Sequence, residues 1–140
     1  MQRRDQVLRA YFQGRDWDEN NEYALKRYLV LNSHKLLPDY PLLIDDEWEV
    51  EPNRNQEGQG DLLFADGAGR YAVVEVKWLN LATSGRTTRG SRTKKRQKVK
   101  DQAADYSYAL ARRLETFIQI EGYWFTNEFQ KPQLAQTLPE

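Results

Sequence analysis

Apolar residues recur along this chain with two different spacings, and these divide it into helices and short strands. Helical spacing predicts an amphipathic helix over 1–15 and a second helix that ends near Leu31. Asp16 or Asp18 is a suitable N-terminal cap for the second helix. Four shorter apolar runs predict strands, which span 42–50, 61–65, 71–78 and 117–126.

The order of these elements predicts an α/β fold. A long helix over 93–114 separates the third and fourth strands, after a predicted mobile loop over 80–91 that is rich in Gly, Ser, Thr and Arg. We predict one domain over 1–140 with a central mixed four-stranded sheet flanked by helices. Helix 1–15 and a tail over 128–140 are expected at its periphery.

The composition removes several classes of chemistry. The chain has 140 residues, no cysteine and a single histidine, His34. Disulfides, thiolate sites and multi-histidine metal sites are therefore excluded, and any catalysis must use carboxylates, lysine, arginine or tyrosine. No apolar run has the length of a membrane span, and the N-terminus does not resemble a signal peptide. We expect an intracellular protein of the cytoplasm or nucleus that does not bind membranes.

Charge is unevenly distributed although the net charge is zero. Eight basic residues and no acidic one lie between positions 86 and 100, and they are Arg86, Arg89, Arg92, Lys94, Lys95, Arg96, Lys98 and Lys100. The other 125 residues carry 13 basic and 21 acidic side chains. We predict that the basic residues from Arg86 to Lys98 contact a nucleic-acid backbone. A solvated stretch or a nuclear-import signal is an alternative interpretation of this run.

Three charged residues interrupt the two central apolar strands. They are Asp61, Glu75 and Lys77. If 67–69 forms a three-residue hairpin loop with Gly69 in the left-handed region, Asp61 lies opposite Glu75. Period-two alternation then places Lys77 on the same face.

Two opposed carboxylates inside apolar strands are costly unless a cation compensates their charge. A divalent cation bound by Asp61 and Glu75 is the usual compensation, and it makes a hydrolytic site. Mg²⁺ or Mn²⁺ is therefore the expected cofactor.

These residues resemble the PD-(D/E)xK metal-dependent nuclease superfamily. Asp61 matches the acidic residue of the first motif, with Gly60 where the family often has Pro, and 75–77 reads Glu-Val-Lys as the E-x-K motif. A Q-x-x-x-Y motif, Gln102 to Tyr106, is similar to that of the RecB-like branch. The predicted element order also matches the α-β-β-β-α-β core of this restriction-endonuclease-like fold.

The resemblance implies a nuclease that hydrolyses phosphodiester bonds, for which DNA is the first choice of substrate and RNA stays open. It implies that the main-chain carbonyl of Val76 joins the two carboxylates as a metal ligand, and that Lys77 assists the attacking water. It also implies an additional helical acid, for which Glu22 is our first choice and Glu19 the second. Gln102 and Tyr106 would touch DNA or orient catalytic groups.

Two other functions stay open at this point. One is a catalytically inactive nuclease-fold module that binds nucleic acid or a partner protein, because a fold does not imply a function. The other is a small interaction module with acidic and basic faces. The sequence also leaves open the mode of cutting, the sequence or structure preference, and assembly into a homodimer or a larger nucleic-acid-processing complex.

Overall fold

The computed structural model describes residues 1–14, 21–50, 59–81 and 86–140. Its helices are α1 (Gln2–Gly14), α2 (Asn21–Leu31), α3 (Ser33–Leu36) and α4 (Arg86–Arg113). Its strands are β1 (Leu42–Glu49), β2 (Gln59–Ala65), β3 (Arg70–Lys77), β4 (Gln119–Thr126) and β5 (Gln133–Leu138). The predicted caps Asp16 and Asp18 lie outside the described residues, and so does Glu19.

The strands form one mixed sheet in the order β1-β2-β3-β4-β5. Only β3 and β4 are parallel, and the three other pairs are antiparallel. The fold is therefore α/β with a mixed sheet flanked by helices, as predicted, but the predicted count of four strands is wrong. The tail supplies the fifth strand, whose Leu138 is buried against the sheet.

Helices cover both faces of the sheet. On one face, Phe12 of α1 and Leu29 of α2 pack with Leu62 and Val74 in a fully buried core. On the other face, Leu110 of α4 packs with strand residues that alternate with those of the first face, including Leu63, Val73 and Ile120. Strands covered on both sides explain the nearly continuous apolar runs in β2 and β3.

The β2–β3 hairpin has the predicted register. The main-chain N–H of Asp66 donates to the carbonyl of Arg70 at 3.0 Å, which closes a loop over 67–69. Gly67 and Gly69 have φ angles of 84° and 106°, a region that favours glycine. Pairing then runs from Ala65–Tyr71 to Leu62–Val74.

The long helix begins earlier than predicted. α4 starts at Arg86, so the predicted loop over 80–91 is wrong from that residue onward.

The second half of α4 lies very close to β4. A Cβ atom placed on Gly122 of β4 would be only 2.3 Å from Ser107 Oγ of α4. None of the helices in the described ranges combines the length and apolar character that a membrane span requires.

Candidate functional site

Asp61 and Glu75 form a reciprocal pair where the β2–β3 ladder ends. Beyond the Leu62–Val74 pair, the main-chain N–H of Asp61 donates to Glu75 Oε2 at 2.9 Å. The main-chain N–H of Val76 donates to Asp61 Oδ2 at 2.8 Å. The two carboxylates therefore take the place of the strand-to-strand hydrogen bonds, and each is held by the opposite strand.

This arrangement keeps two acids close together in a poorly solvated place. Burial raises the pKa of Asp61 to about 6, and the neighbouring acids Glu22 and Asp46 contribute in the same direction. Burial and the charge of Asp61 raise the pKa of Glu75 well above its ordinary value. Hydrogen bonds from main-chain N–H groups oppose both shifts without cancelling them. The positive charge near the two carboxylates is therefore too small to balance their negative charge.

Lys77 lies at the end of β3 and contacts Glu22 of α2. Its Nζ is 3.6 Å from Glu22 Oε1, and the two side chains are 42% and 40% exposed. An ion pair this exposed is worth less than about 1 kcal/mol, so either side chain can leave it for a substrate group. The structure thus brings Glu22, the predicted helical acid, to the predicted lysine.

A buried lysine near the site is absent from the sequence-based predictions. Lys26 is 2% exposed, and its Nζ contacts Asp46 Oδ1 at 2.6 Å. Its positive charge lowers the pKa of both Asp61 and Glu75, in opposition to burial. The spacing of α2 could have indicated this lysine, because Lys26 is four residues after Glu22 and therefore lies on the same face of the helix.

A second contact between α2 and β1 lies beside Asp61. The hydroxyl of Tyr23 donates to a carboxylate oxygen of Glu47, and Glu47 has a φ angle of 50°, a conformation uncommon outside glycine. The Glu47 contact, burial and the charge of Asp61 all raise the pKa of Tyr23. Sequence reasoning gave no sign of this backbone conformation.

Tyr106 of α4 approaches the carboxylate pair from the other side. It is half-buried, and burial together with the charges of Glu75 and Asp61 raises its pKa. Its ring packs edge-on against Trp48 at a centroid distance of 6.2 Å. Gln102 lies one turn earlier on α4 and is also half-buried.

The predicted basic residues occupy the first half of α4, and they are not equivalent. Arg89, Lys94, Lys95 and Lys98 are exposed. Arg96 makes a two-point ion pair with Glu128, with distances of 2.9 Å and 2.6 Å. Arg92 donates weakly to the carbonyl of Asn80 at 3.5 Å. The side chain of Arg86 lies outside the described residues.

The donor set suits a hard divalent cation. In the described part of the chain, no cluster of three or more acidic or histidine side chains is arranged to hold a metal ion. Asp61 and Glu75 offer carboxylate oxygens from two strands, and Mg²⁺ usually takes one or two carboxylates and keeps several waters. Their raised pKa values fit a pair that gains from a bound cation.

Comparison with protein-family models, curated proteins and solved structures finds no significant match to this chain.

Proposed function

We propose that this chain is a metal-dependent nuclease that hydrolyses phosphodiester bonds of DNA. The observation that carries the proposal is the reciprocal pair of Asp61 and Glu75, with Lys77 two residues further along β3. Two acids lie at the open end of a strand pair, and a lysine follows the second acid at the next position of the same parity on β3. This order of residues is the one that the PD-(D/E)xK resemblance implies. We infer membership of that superfamily on the same grounds.

The two carboxylates would hold Mg²⁺ or Mn²⁺, with the carbonyl of Val76 as a further ligand. Bound there, the ion would supply positive charge for the phosphate and lower the pKa of a bound water. Asp61 and Glu75 are already oriented by main-chain N–H groups, so little side-chain freedom remains to be lost on binding.

Lys77 would act on the reacting phosphate or the attacking water. Its side chain is 42% exposed and contacts Glu22 in an exposed ion pair, so it is available at the surface of the site. A lysine is a compact point charge, which suits stabilisation of the charge that develops on phosphate oxygens. Glu22 would hold the lysine in position before substrate arrives.

Supporting residues come from both sides of the sheet. Lys26 of α2 favours the ionised form of both carboxylates, while Tyr106 of α4 lies near the pair with its hydroxyl protonated at neutral pH. The exposed α4 residues Arg89, Lys94, Lys95 and Lys98 would contact the DNA backbone independently of sequence.

Cleavage by purified protein tests the proposal. Single-stranded, double-stranded and branched DNA are incubated with Mg²⁺, Mn²⁺ or EDTA, and Lys77→Ala is compared with Lys100→Ala. Lys100 is an exposed lysine on α4 and serves as the matched control. We expect metal-dependent cutting that is lost in Lys77→Ala and kept in Lys100→Ala. Cutting that survives in Lys77→Ala contradicts the proposal.

A catalytically inactive module that binds nucleic acid or a partner protein is the second candidate. It is favoured by one observation, that both carboxylates already accept main-chain hydrogen bonds and so have a structural use of their own. Equal DNA binding by the wild type and Lys77→Ala, with no cutting by either protein, would favour this function.

A further inference from the structure

A groove separate from the carboxylate pair runs between α2–α3 and the turn that follows β4. Its volume is about 700 Å³, which is within the usual range for ligand pockets. Tyr28 and Lys35 line one wall, and Phe129 and Lys131 line the other. Asn32 and Gln133 add amide groups.

Each wall carries an aromatic ring that is fixed on one side and open on the other. Tyr28 is stacked on buried Phe125 at a centroid distance of 6.5 Å and an interplanar angle of 17°. Phe129 packs edge-on against Trp124 at 5.5 Å. Tyr28 is nevertheless 49% exposed and Phe129 38% exposed. Rings held in this way are ready to stack on a flat group without further ordering.

The groove lies at the same end of the sheet as Lys77. In the parallel β3–β4 pair, Lys77 is opposite Thr126, and Phe129 follows three residues later. Tyr28 is six residues after Glu22 on α2, which is about 9 Å along the helix axis. The side chain of Asn127 joins this turn to the chain after β3, through bonds of 2.7 Å and 2.9 Å to main-chain atoms of Leu79.

The charge of the groove suits a phosphate backbone. Lys35 and Lys131 are exposed, and the acid in the wall, Glu128, is neutralised by its two-point ion pair with Arg96. Arg96 belongs to the basic half of α4, so the positive surface continues from that helix to the rim of the groove. Exposed rings between positive charges are how proteins bind single-stranded nucleic acid.

We propose that this groove binds the bases of a single-stranded DNA segment beside the phosphodiester bond to be cut. The inference rests on the proposed function, because it assigns the substrate class of that site. Tyr28 and Phe129 stack on bases, while Lys35 and Lys131 contact phosphates. A duplex keeps its bases stacked inside and cannot present them to these rings.

Binding is measured by fluorescence anisotropy in EDTA, so that no strand is cut. The probes are a labelled oligothymidine, an abasic strand of the same length and a duplex. We expect oligothymidine to bind more tightly than either of the other two. Tyr28→Ala and Phe129→Ala should each weaken oligothymidine binding about tenfold and leave abasic binding unchanged.

Two further variants keep the result interpretable. Tyr28→Phe retains the ring and should retain binding, which separates stacking from a loss of folding. Tyr11→Ala is the matched control, since Tyr11 is 42% exposed and packs on buried Phe12 at 5.5 Å, but belongs to α1. Equal binding by Tyr28→Ala, Phe129→Ala and Tyr11→Ala, or an equal loss on the abasic strand, would overturn the inference.

Cleavage by the wild type in Mg²⁺ separates this inference from the function on which it rests. Ring-dependent binding without cutting supports the groove and overturns the nuclease. Cutting that is lost in Lys77→Ala, together with binding that does not depend on the rings, overturns the groove alone.

Discussion

Lys26 Nζ lies 2.6 Å from Asp46 Oδ1, and their side chains are only 3% and 13% exposed. This buried ion pair joins α2 to β1 near the candidate site. The same helix carries Glu22 towards Lys77, so the pair fixes the position of an acid that the proposed chemistry uses. Its main effect is on structure, because each ion would be left buried without the other.

Removal of one partner of this pair should be strongly destabilising. We expect Lys26→Met to lower the free energy of unfolding by about 3–5 kcal/mol, because it leaves Asp46 as an uncompensated buried charge. The double variant Lys26→Met/Asp46→Leu should recover much of this loss. The free energy of unfolding of the wild type, the single variant and the double variant is measured by urea denaturation. The exposed pair of Arg4 and Asp45 is the control, and Arg4→Met should cost less than about 1 kcal/mol. A similar cost for Lys26→Met would contradict this picture.

A neutral amide at position 75 should stabilise the metal-free protein near neutral pH. The pKa values of Glu75 and Asp61 are raised, so the folded state binds protons that the unfolded state has released. The stability that these protons provide is complete below the unfolded pKa of 3.8 and is lost as the pH rises through about 6 for Asp61. Glu75→Gln removes one charge and can still accept the N–H bond of Asp61.

Thermal unfolding in EDTA from pH 4 to pH 8 checks this prediction. The melting temperature of Glu75→Gln should exceed that of the wild type by an amount that grows with pH and is small near pH 4. Glu115→Gln changes an exposed acid beyond the end of α4 and is the control. A constant difference across the pH range would argue against two acids titrating together.

Metal should stabilise the wild type through the same two acids. At a free Mg²⁺ concentration about ten times Kd, binding adds about 1.4 kcal/mol to the free energy of unfolding. We expect Asp61→Asn to lose this gain and Asp101→Asn, an exposed acid on α4, to keep it. Melting temperatures with and without Mg²⁺ provide the measurement, and stabilisation that persists in Asp61→Asn would place the ion elsewhere.

The close approach of α4 to β4 should tolerate no side chain at Gly122. A Cβ there would lie 2.3 Å from Ser107 Oγ and 2.5 Å from the carbonyl oxygen of Ala103. Gly122→Ala should therefore cost about 1–3 kcal/mol or more in urea unfolding. Gly90→Ala is the matched control, because a Cβ at Gly90 meets nothing within 4 Å, and helix propensity favours Ala by about 0.5–1 kcal/mol. Equal effects would mean that the helix can move away from the sheet.

Exposed lysines on α4 should set the salt dependence of DNA binding. Each phosphate contact contributes about 0.7–0.9 to the slope of log K against log salt concentration. The triple variant Lys94→Gln/Lys95→Gln/Lys98→Gln should lower the slope by roughly 2 to 3. Arg96→Gln tests a residue already paired with Glu128, and it should change the slope less. Binding titrations at several salt concentrations decide between these outcomes.

Local signals made part of this fold predictable. The β2–β3 hairpin has a Gly-rich loop, and the length of this loop fixes the register that brings Asp61 opposite Glu75. The fifth strand lacked such a signal, because only three of the six residues of Gln133–Leu138 are apolar and one of them, Leu134, is 52% exposed. This strand forms because it pairs antiparallel with the free edge of β4. That edge exists only when the rest of the sheet has assembled.

The first turns of α4, from Arg86 to Ser91, were predicted as a loop for a related reason. Between Arg86 and Val99 no apolar residue repeats at helical spacing, so the pattern gives no buried face. One tertiary contact there is the ion pair of Arg96 with Glu128, which comes from a distant part of the sequence. Lys26 and Asp46 were missed similarly, because a lysine in a helix and an acid in a strand predict solvent-facing positions.

The two pairs at the candidate site close very different lengths of chain. Asp61 and Glu75 are 14 residues apart, whereas Glu22 and Lys77 are separated by 55. The longer closure costs about 1 kcal/mol more in chain entropy. On refolding we therefore expect the carboxylate pair to form with its hairpin, and the lysine to gain its partner only when α2 docks.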